Sequence, residues 1–209
     1  MFSEKINLLK AFAIMLVVSG HLEFSILGMF PPYSFQLALF FFISGMLFKE
    51  KYLNNVTTFV QRRLKSLLLP YFLYEIFYFG VTYVVFKLTG KWWGMPISLK
   101  NIFITPFLNG HQLDLCCPLW FVPQLFVTMI TFLFVLRSLF KMTTNKFVHL
   151  GVFMLFGFLS IPVLKHIPFT PTTLLAFRTV FSMFFVYLGY FYMHHIKDKH
   201  DIFTPKWLG

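Results

Sequence analysis

Residues 6–27, INLLKAFAIMLVVSGHLEFSIL, form an apolar run long enough to cross a bilayer as one helix. Lys10 and His21 lie eleven residues apart in this run. Eleven helical steps of about 100° return to within roughly 20° of the starting direction, with a rise of about 16 Å. The two side chains therefore share one face, three turns apart. Because charge is costly against lipid, we expect this face to meet protein or water and to carry function.

The composition is that of an integral membrane protein. Of 209 residues, 58% are hydrophobic and 12% are charged, and the mean hydropathy is +0.74. The net charge of +11 is explained by membrane orientation and anionic lipid, so membrane lipid and not nucleic acid is the expected partner. Cys116 and Cys117 are adjacent and too few for a disulfide framework or a four-ligand zinc site. No metal is therefore expected.

Six apolar segments approach the length that spans a bilayer, which predicts an all-α bundle of about six transmembrane helices in one domain, residues 1–209. The segments are residues 6–27, 32–48, 67–88, 119–140, 147–164 and 174–194.

Basic residues predict the orientation of this bundle. If the segments cross alternately from a cytoplasmic N-terminus, thirteen Lys and Arg side chains lie inside and five outside. A cleaved signal peptide is the alternative for the first segment, since Val18-Ser19-Gly20 resembles a cleavage site. The apolar run continues beyond that site, which favours an uncleaved span and a multi-pass protein with both termini inside.

The main cytoplasmic connection, KEKYLNNVTTFVQRRLKS at residues 49–66, contains a basic cluster of Arg62, Arg63 and Lys65. Leu53, Val56, Val60, Leu64 and Leu67 recur on one helical stripe, which predicts a helix in the membrane interface. The basic cluster then has two interpretations. It anchors the helix to anionic lipid, or it binds the phosphates of a nucleotide-like cofactor.

Other polar residues within apolar segments are weaker candidates. Glu75 lies about two turns inside the third segment, where a carboxylate is either paired or functional. The fourth segment opens with PLWFVPQLF, which places Trp120 and an amide, Gln124, at its start. Arg178, near the start of the sixth, either extends to the surface or reaches a cavity. The small Ser44–Gly45 pair of the second segment is expected to let helices approach closely.

Four blocks of the sequence stand out together: VVSGH with a basic residue eleven positions before the histidine, FFFISGMLF, FVQRRLKSLLLPYF and PLWFVPQLF. Together they resemble the N-terminal part of the membrane acyltransferase family 3, particularly its fucose 4-O-acetylase-like branch. Their order and spacing over residues 5–128 are those of the family.

The resemblance implies O-acyl transfer in the bacterial inner (plasma) membrane, usually of acetyl from acetyl-coenzyme A to a hydroxyl of a cell-envelope carbohydrate, free or lipid-linked. It assigns His21 as the catalytic base and Lys10, Arg62, Arg63 and Lys65 to the coenzyme. Glu75 and Trp120 are candidate orienting or pore residues. Two departures stand out, because Lys10 replaces an arginine of the family pattern and the paired-arginine motif fits either Arg62 to Lys65 or Arg63 to Ser66.

The family bundle has about ten helices, so the resemblance also implies that this chain is an incomplete, C-terminally truncated version. A non-catalytic membrane protein, either a truncated remnant or a transport-type subunit, is therefore the alternative function. His111 is the next candidate for the base if His21 is not.

Overall fold

In a computed structural model the described residues are 2–21, 35–108, 119–164, 166–168 and 170–197. They form ten α-helices and two single π-helical turns. The helices are α1 (Phe2–His21), α2 (Gln36–Met46), α3 (Lys51–Asn54), α4 (Val56–Arg63), α5 (Leu69–Thr89), α6 (Leu99–Phe103), α7 (Thr105–Leu108), α8 (Phe121–Met142), α9 (Lys146–Leu164) and α10 (Pro171–Phe191). The π turns are Leu64–Leu68 and Tyr192–Ile196.

Within these ranges four helical stretches are long and apolar enough to cross a membrane: Val56–Thr89, Phe121–Met142, Lys146–Val163 and Pro171–Ile196. They correspond to the last four of the six predicted segments, and the all-α prediction holds wherever the structure is described. The first segment carries α1, whose first half holds Glu4, Lys5 and Lys10. The second carries α2, whose eleven residues span about 16 Å at 1.5 Å per residue.

Local sequence explains where the spanning helices begin and end. Pro171 at the first turn of α10 lacks only an N–H that has no helical partner there, and Thr170 and Thr173 form a reciprocal capping box. Gly90 ends α5 in the left-handed conformation, with φ of 72°. The π turn at Leu64–Leu68 joins α4 to α5 just before Pro70, so one helical rod runs from Val56 to Thr89.

The predicted interfacial helix at residues 53–67 differs from the observed one. Asn55 breaks the helix with φ of −123° and ψ of 61°, so α3 and α4 are separate helices. Tyr52 and Phe59 are buried, and Leu53, Val56 and Leu67 of the predicted stripe are partly buried against the same core. Leu64 of that stripe is 41% exposed. The predicted loop at residues 89–118 also contains the short helices α6 and α7. His111, Asp114, Cys116 and Cys117 lie outside the described residues.

The most extensive helix contact joins α2 to α10. Gly45 and Gly189 lie where their backbones cross, and a Cβ on either would collide with a main-chain carbonyl oxygen of the other helix, that of Val186 or Phe42. The close-packing prediction for Gly45 is therefore confirmed. Aromatic side chains from α2, the α2–α3 loop, α8, α9 and α10 fill the adjoining core: Phe41, Phe48, Phe132, Phe153, Tyr187 and Tyr190.

The two ends of the bundle differ in chemistry. Ile6 of α1 packs with Met46 of α2 and Tyr192 after α10, so the start of α1 lies beside the ends of the other two helices. We call this the basic end. It adjoins α3 through the contact of Phe48 with Tyr52, and α4, which follows α3, carries Arg62 and Arg63. At the opposite end, the His21 end, α1 finishes and α2, α8 and α10 begin.

Candidate functional site

The α1 helix includes both Lys10 and His21, so the eleven-residue spacing lies on one continuous helix. Its buried face is formed by Ile6, Ala13, Leu16 and Ser19. Lys10 is half-buried at the edge of that face, and His21 is exposed in the last turn. The predicted stripe therefore runs along the side of α1, with the cation near the basic end and the imidazole at the other.

The start of α2 lies next to the second half of α1. Gln36 is 4% exposed, and its Nε2 donates to the carbonyl oxygen of Leu16 over 3.5 Å, at the outer limit for a hydrogen bond. Leu16 precedes His21 by five residues. Among the described residues, the first turn of α2 thus contacts the part of α1 that precedes His21.

A mainly apolar cavity of about 140 Å³ lies between α2, α8 and α10 at the His21 end. Trp120, Gln124, Arg178 and Ser182 provide its polar and aromatic lining. The Arg178 guanidinium carbon lies 4.2 Å from the centroid of the Trp120 ring. Sequence analysis singled out Trp120, Gln124 and Arg178 separately but missed that they meet, because α8 and α10 are distant in sequence.

Glu75 lies on a buried stripe of α5 with Tyr71, Phe79 and Thr82. Its side chain is 1% exposed, so the carboxylate is inside the protein as the intramembrane position suggested. Among the described helices α5 packs against α6, while α1 packs mainly against α2. The orienting role of Glu75 toward His21 stays a prediction.

Lys10 lies on α1, whereas the basic cluster lies on α4 and the following π turn. Those two elements pack against α8. Arg62 Nη1 donates to the hydroxyl of Tyr52 over 2.9 Å. The guanidinium of Arg63 lies over the Phe59 ring, with Cζ 5.2 Å from its centroid. These contacts hold both arginines at the basic end, while Lys65 is exposed.

Sequence analysis also missed a hydrogen bond beside this cluster. The Tyr190 hydroxyl donates to Glu50 Oε1 over 2.5 Å, as is common for a charge-assisted O–H···O⁻ bond. Tyr190 also packs against Phe48, which in turn packs against Tyr52 and Phe59. The bond ties the α2–α3 loop to α10 across 140 positions of sequence, which no local pattern could have indicated.

The sequence pattern of the acyltransferase domain, acyltransferase family 3, matches residues 3–207. The chain belongs to acyltransferase family 3. No curated protein and no solved structure matches it significantly. Since the match runs from the first turn of α1 to beyond α10, His21, the basic cluster and the cavity beside Arg178 all lie within the acyltransferase domain.

As a family member the chain is a membrane acyltransferase, a transferase that acts on acyl groups and meets an acyl donor as substrate. In the part of the chain that the structure describes, no three His, Cys, Asp or Glu side chains form a group that could hold a metal ion.

Proposed function

We propose that this acyltransferase moves a short acyl group, acetyl in the first instance, from acyl-coenzyme A to a hydroxyl of a cell-envelope carbohydrate, free or lipid-linked. The observation that carries the proposal is α1, which places a cation and an imidazole on one helix inside the matched family domain. The fucose 4-O-acetylase-like branch and a site in the bacterial inner membrane are part of the same proposal.

The proposed chemistry needs one base. An alcohol is a weak nucleophile at neutral pH, and the neutral imidazole of His21 takes its proton as the oxygen attacks the thioester carbonyl. The carbon–sulfur bond then breaks, the acyl group stays on the acceptor oxygen as an ester, and the proton passes from the imidazole to the departing coenzyme thiolate. Atoms and charge balance without a metal or a redox partner.

The donor is proposed to bind at the basic end through Lys10, Arg62, Arg63 and Lys65. Arginine bonds phosphate through two parallel N–H groups, and the contacts with Tyr52 and Phe59 reduce the freedom that Arg62 and Arg63 lose on binding. The pantetheine arm would then extend along α1, about 16 Å from Lys10 to His21.

Acyl transfer itself is tested with bacterial membranes that contain or lack the protein. Deuterated acetyl-coenzyme A is added, and envelope glycans are analysed by mass spectrometry. We expect deuterated acetyl esters only where the protein is present. If a folded protein that binds acetyl-coenzyme A gives no labelled ester with any envelope fraction, the non-catalytic alternative takes its place.

Replacing Arg62, Arg63 and Lys65 together by Gln is expected to weaken acetyl-coenzyme A binding by tenfold or more, because three phosphate contacts are lost. Isothermal titration in detergent at two salt concentrations measures this, since phosphate binding should weaken with salt. The matched control is the triple Gln variant of Arg137, Lys141 and Lys146, which removes the same charge from α8 and α9. If the folded cluster variant binds acetyl-coenzyme A as tightly as the parent protein and the control variant do, the cluster serves lipid anchoring instead.

The proposed orientation, with a cytoplasmic N-terminus, is tested with single cysteines in a background without Cys116 and Cys117. Asn55→Cys at the basic end is expected to resist an impermeant thiol reagent in intact cells, and Leu99→Cys on α6 is expected to react. Both should react after the cells are opened. The reverse pattern in intact cells would place the basic cluster outside and separate it from the cytoplasmic coenzyme.

A further inference from the structure

Arg178 lies two turns inside α10, a helix long and apolar enough to cross a membrane. A cation at such a depth is expensive against lipid, so it suggests a functional site. Its guanidinium stacks on Trp120, and a cation–π contact replaces only part of the lost hydration. No acidic residue is among the described residues that line the cavity beside it.

Gln124 presents an acceptor to the same cavity. It is 4% exposed, and its Nε2 donates to Thr128 Oγ1 at 3.3 Å and to Thr179 Oγ1 at 3.0 Å. Since both bonds use the amide nitrogen, Oε1 makes no hydrogen bond with the described residues. Thr179 is itself fixed by its bond to the Leu175 carbonyl, so the amide is held in one orientation.

The cavity is the right size for one functional group and part of a ring. Its volume of about 140 Å³ is small beside the roughly 300–1,000 Å³ of pockets that hold a whole small molecule. Ser182, at 5% exposure, adds a hydroxyl to the wall. The wall therefore provides a fixed cation, a fixed carbonyl acceptor and a hydroxyl, while Leu37, Phe41 and Phe181 form apolar parts of it.

We propose that this cavity binds the oxyanion, carboxylate or phosphate, of an acidic sugar acceptor. Arg178 pairs with the oxyanion, Ser182 donates to it, and Gln124 Oε1 accepts a neighbouring sugar hydroxyl. The inference rests on the proposed function and narrows its acceptor to an anionic carbohydrate. Leu37 in the cavity wall follows Gln36, which contacts α1, so the cavity and His21 share one end of the bundle.

Trp120 can report the binding directly. In purified protein with Trp92, Trp93 and Trp207 replaced by Phe, Trp120 is the one remaining tryptophan, and excitation at the long-wavelength edge of its absorption selects it over the nine tyrosines. We expect saturable fluorescence changes with D-glucuronate or D-glucose 1-phosphate at constant ionic strength, and at least tenfold weaker binding of neutral D-glucose. Glucuronate carries a carboxylate and glucose 1-phosphate carries a phosphate. The anion that binds more tightly therefore shows which of the two groups the cavity prefers.

Variants then test the assigned residues. Arg178→Gln should lose at least tenfold in anion affinity, Arg178→Lys should lose less, and Gln124→Glu should lose binding through repulsion. Arg137→Gln, near the end of α8, is the control and should bind as the parent does. Size-exclusion elution confirms that each variant is folded.

Two results separate this inference from the proposed chemistry. His21→Ala should retain anion binding, because His21 does not line the cavity. Arg178→Gln should raise the KM for the acceptor and leave acetyl-coenzyme A affinity unchanged. Glucose binding equal to that of both anions, no saturable anion binding, or unchanged binding by folded Arg178→Gln would each overturn the inference.

Discussion

His21→Ala is expected to lower acetyl transfer by about 10²–10⁴-fold, the range that general-base catalysis contributes. The loss should fall on kcat, with acetyl-coenzyme A affinity preserved, because a base acts mainly in the transition state. The side chain is exposed at the end of α1, so its removal leaves the core of the bundle unchanged. Deuterated acetyl ester, normalised to protein level in the same membranes, gives the measurement.

His166→Ala is the matched control for that experiment. His166 is also an exposed histidine, just after α9 at the His21 end, and its Nδ1 lies 2.9 Å from the Pro162 carbonyl. We expect this variant to keep full activity. A loss below tenfold for His21→Ala would be too small for the base and would move that role elsewhere, with His111 tested next.

Gly189→Ala is expected to lower the melting temperature by about 6–12 °C or to prevent folding. The new Cβ collides with the carbonyl oxygen of Phe42 and lies 3.0 Å from the backbone nitrogen of Met46. Backbone atoms of a helix cannot move aside as a flexible side chain can, so α2 and α10 must separate. Overpacking costs about 3 kcal/mol at the upper end of its usual range, and each kcal/mol lowers Tm by about 2–4 °C in a chain of this size.

Gly45→Ala should behave alike, since its Cβ meets the Val186 carbonyl in the reciprocal position. Gly80→Ala on α5 and Gly151→Ala on α9 are the controls. A Cβ at either meets nothing within 4 Å, and alanine favours the helix by about 1 kcal/mol, so Tm should hold or rise. Thermal unfolding in detergent, followed by size-exclusion chromatography, compares the four. Equal Tm values for all four would show that α2 and α10 do not pack at these glycines.

Sequence alone was sufficient for features that depend on a single helix. Composition indicates the membrane class, and the eleven-residue spacing of Lys10 and His21 needs only the helical repeat. Close packing at Gly45 was predicted because small residues in apolar helices commonly let two backbones approach. The last four predicted segments correspond to helices long enough to span a membrane, since apolar length is itself a sequence property.

The stripe at residues 53–67 shows how far local periodicity reaches. Leu53, Val56 and Leu67 do pack against the core, but the fully buried side chains are Tyr52 and Phe59, and Leu64 is exposed. The break at Asn55 has no proline or glycine to mark it. Phe59 packs against Phe48 of the α2–α3 loop, a contact that only the tertiary structure shows.

Sequence by itself determined that this is an all-helical membrane chain whose first helix carries a cation and an imidazole on one side. Three features were decided by tertiary structure alone. Gly45 and Gly189 lie where α2 and α10 cross, and Glu50 accepts a hydrogen bond from the Tyr190 hydroxyl. Arg178, Trp120 and Gln124 line one cavity. The physical reason is that periodicity fixes directions within a helix, whereas the choice of neighbouring helix depends on which backbones can approach. Here that approach is closest at the two glycines.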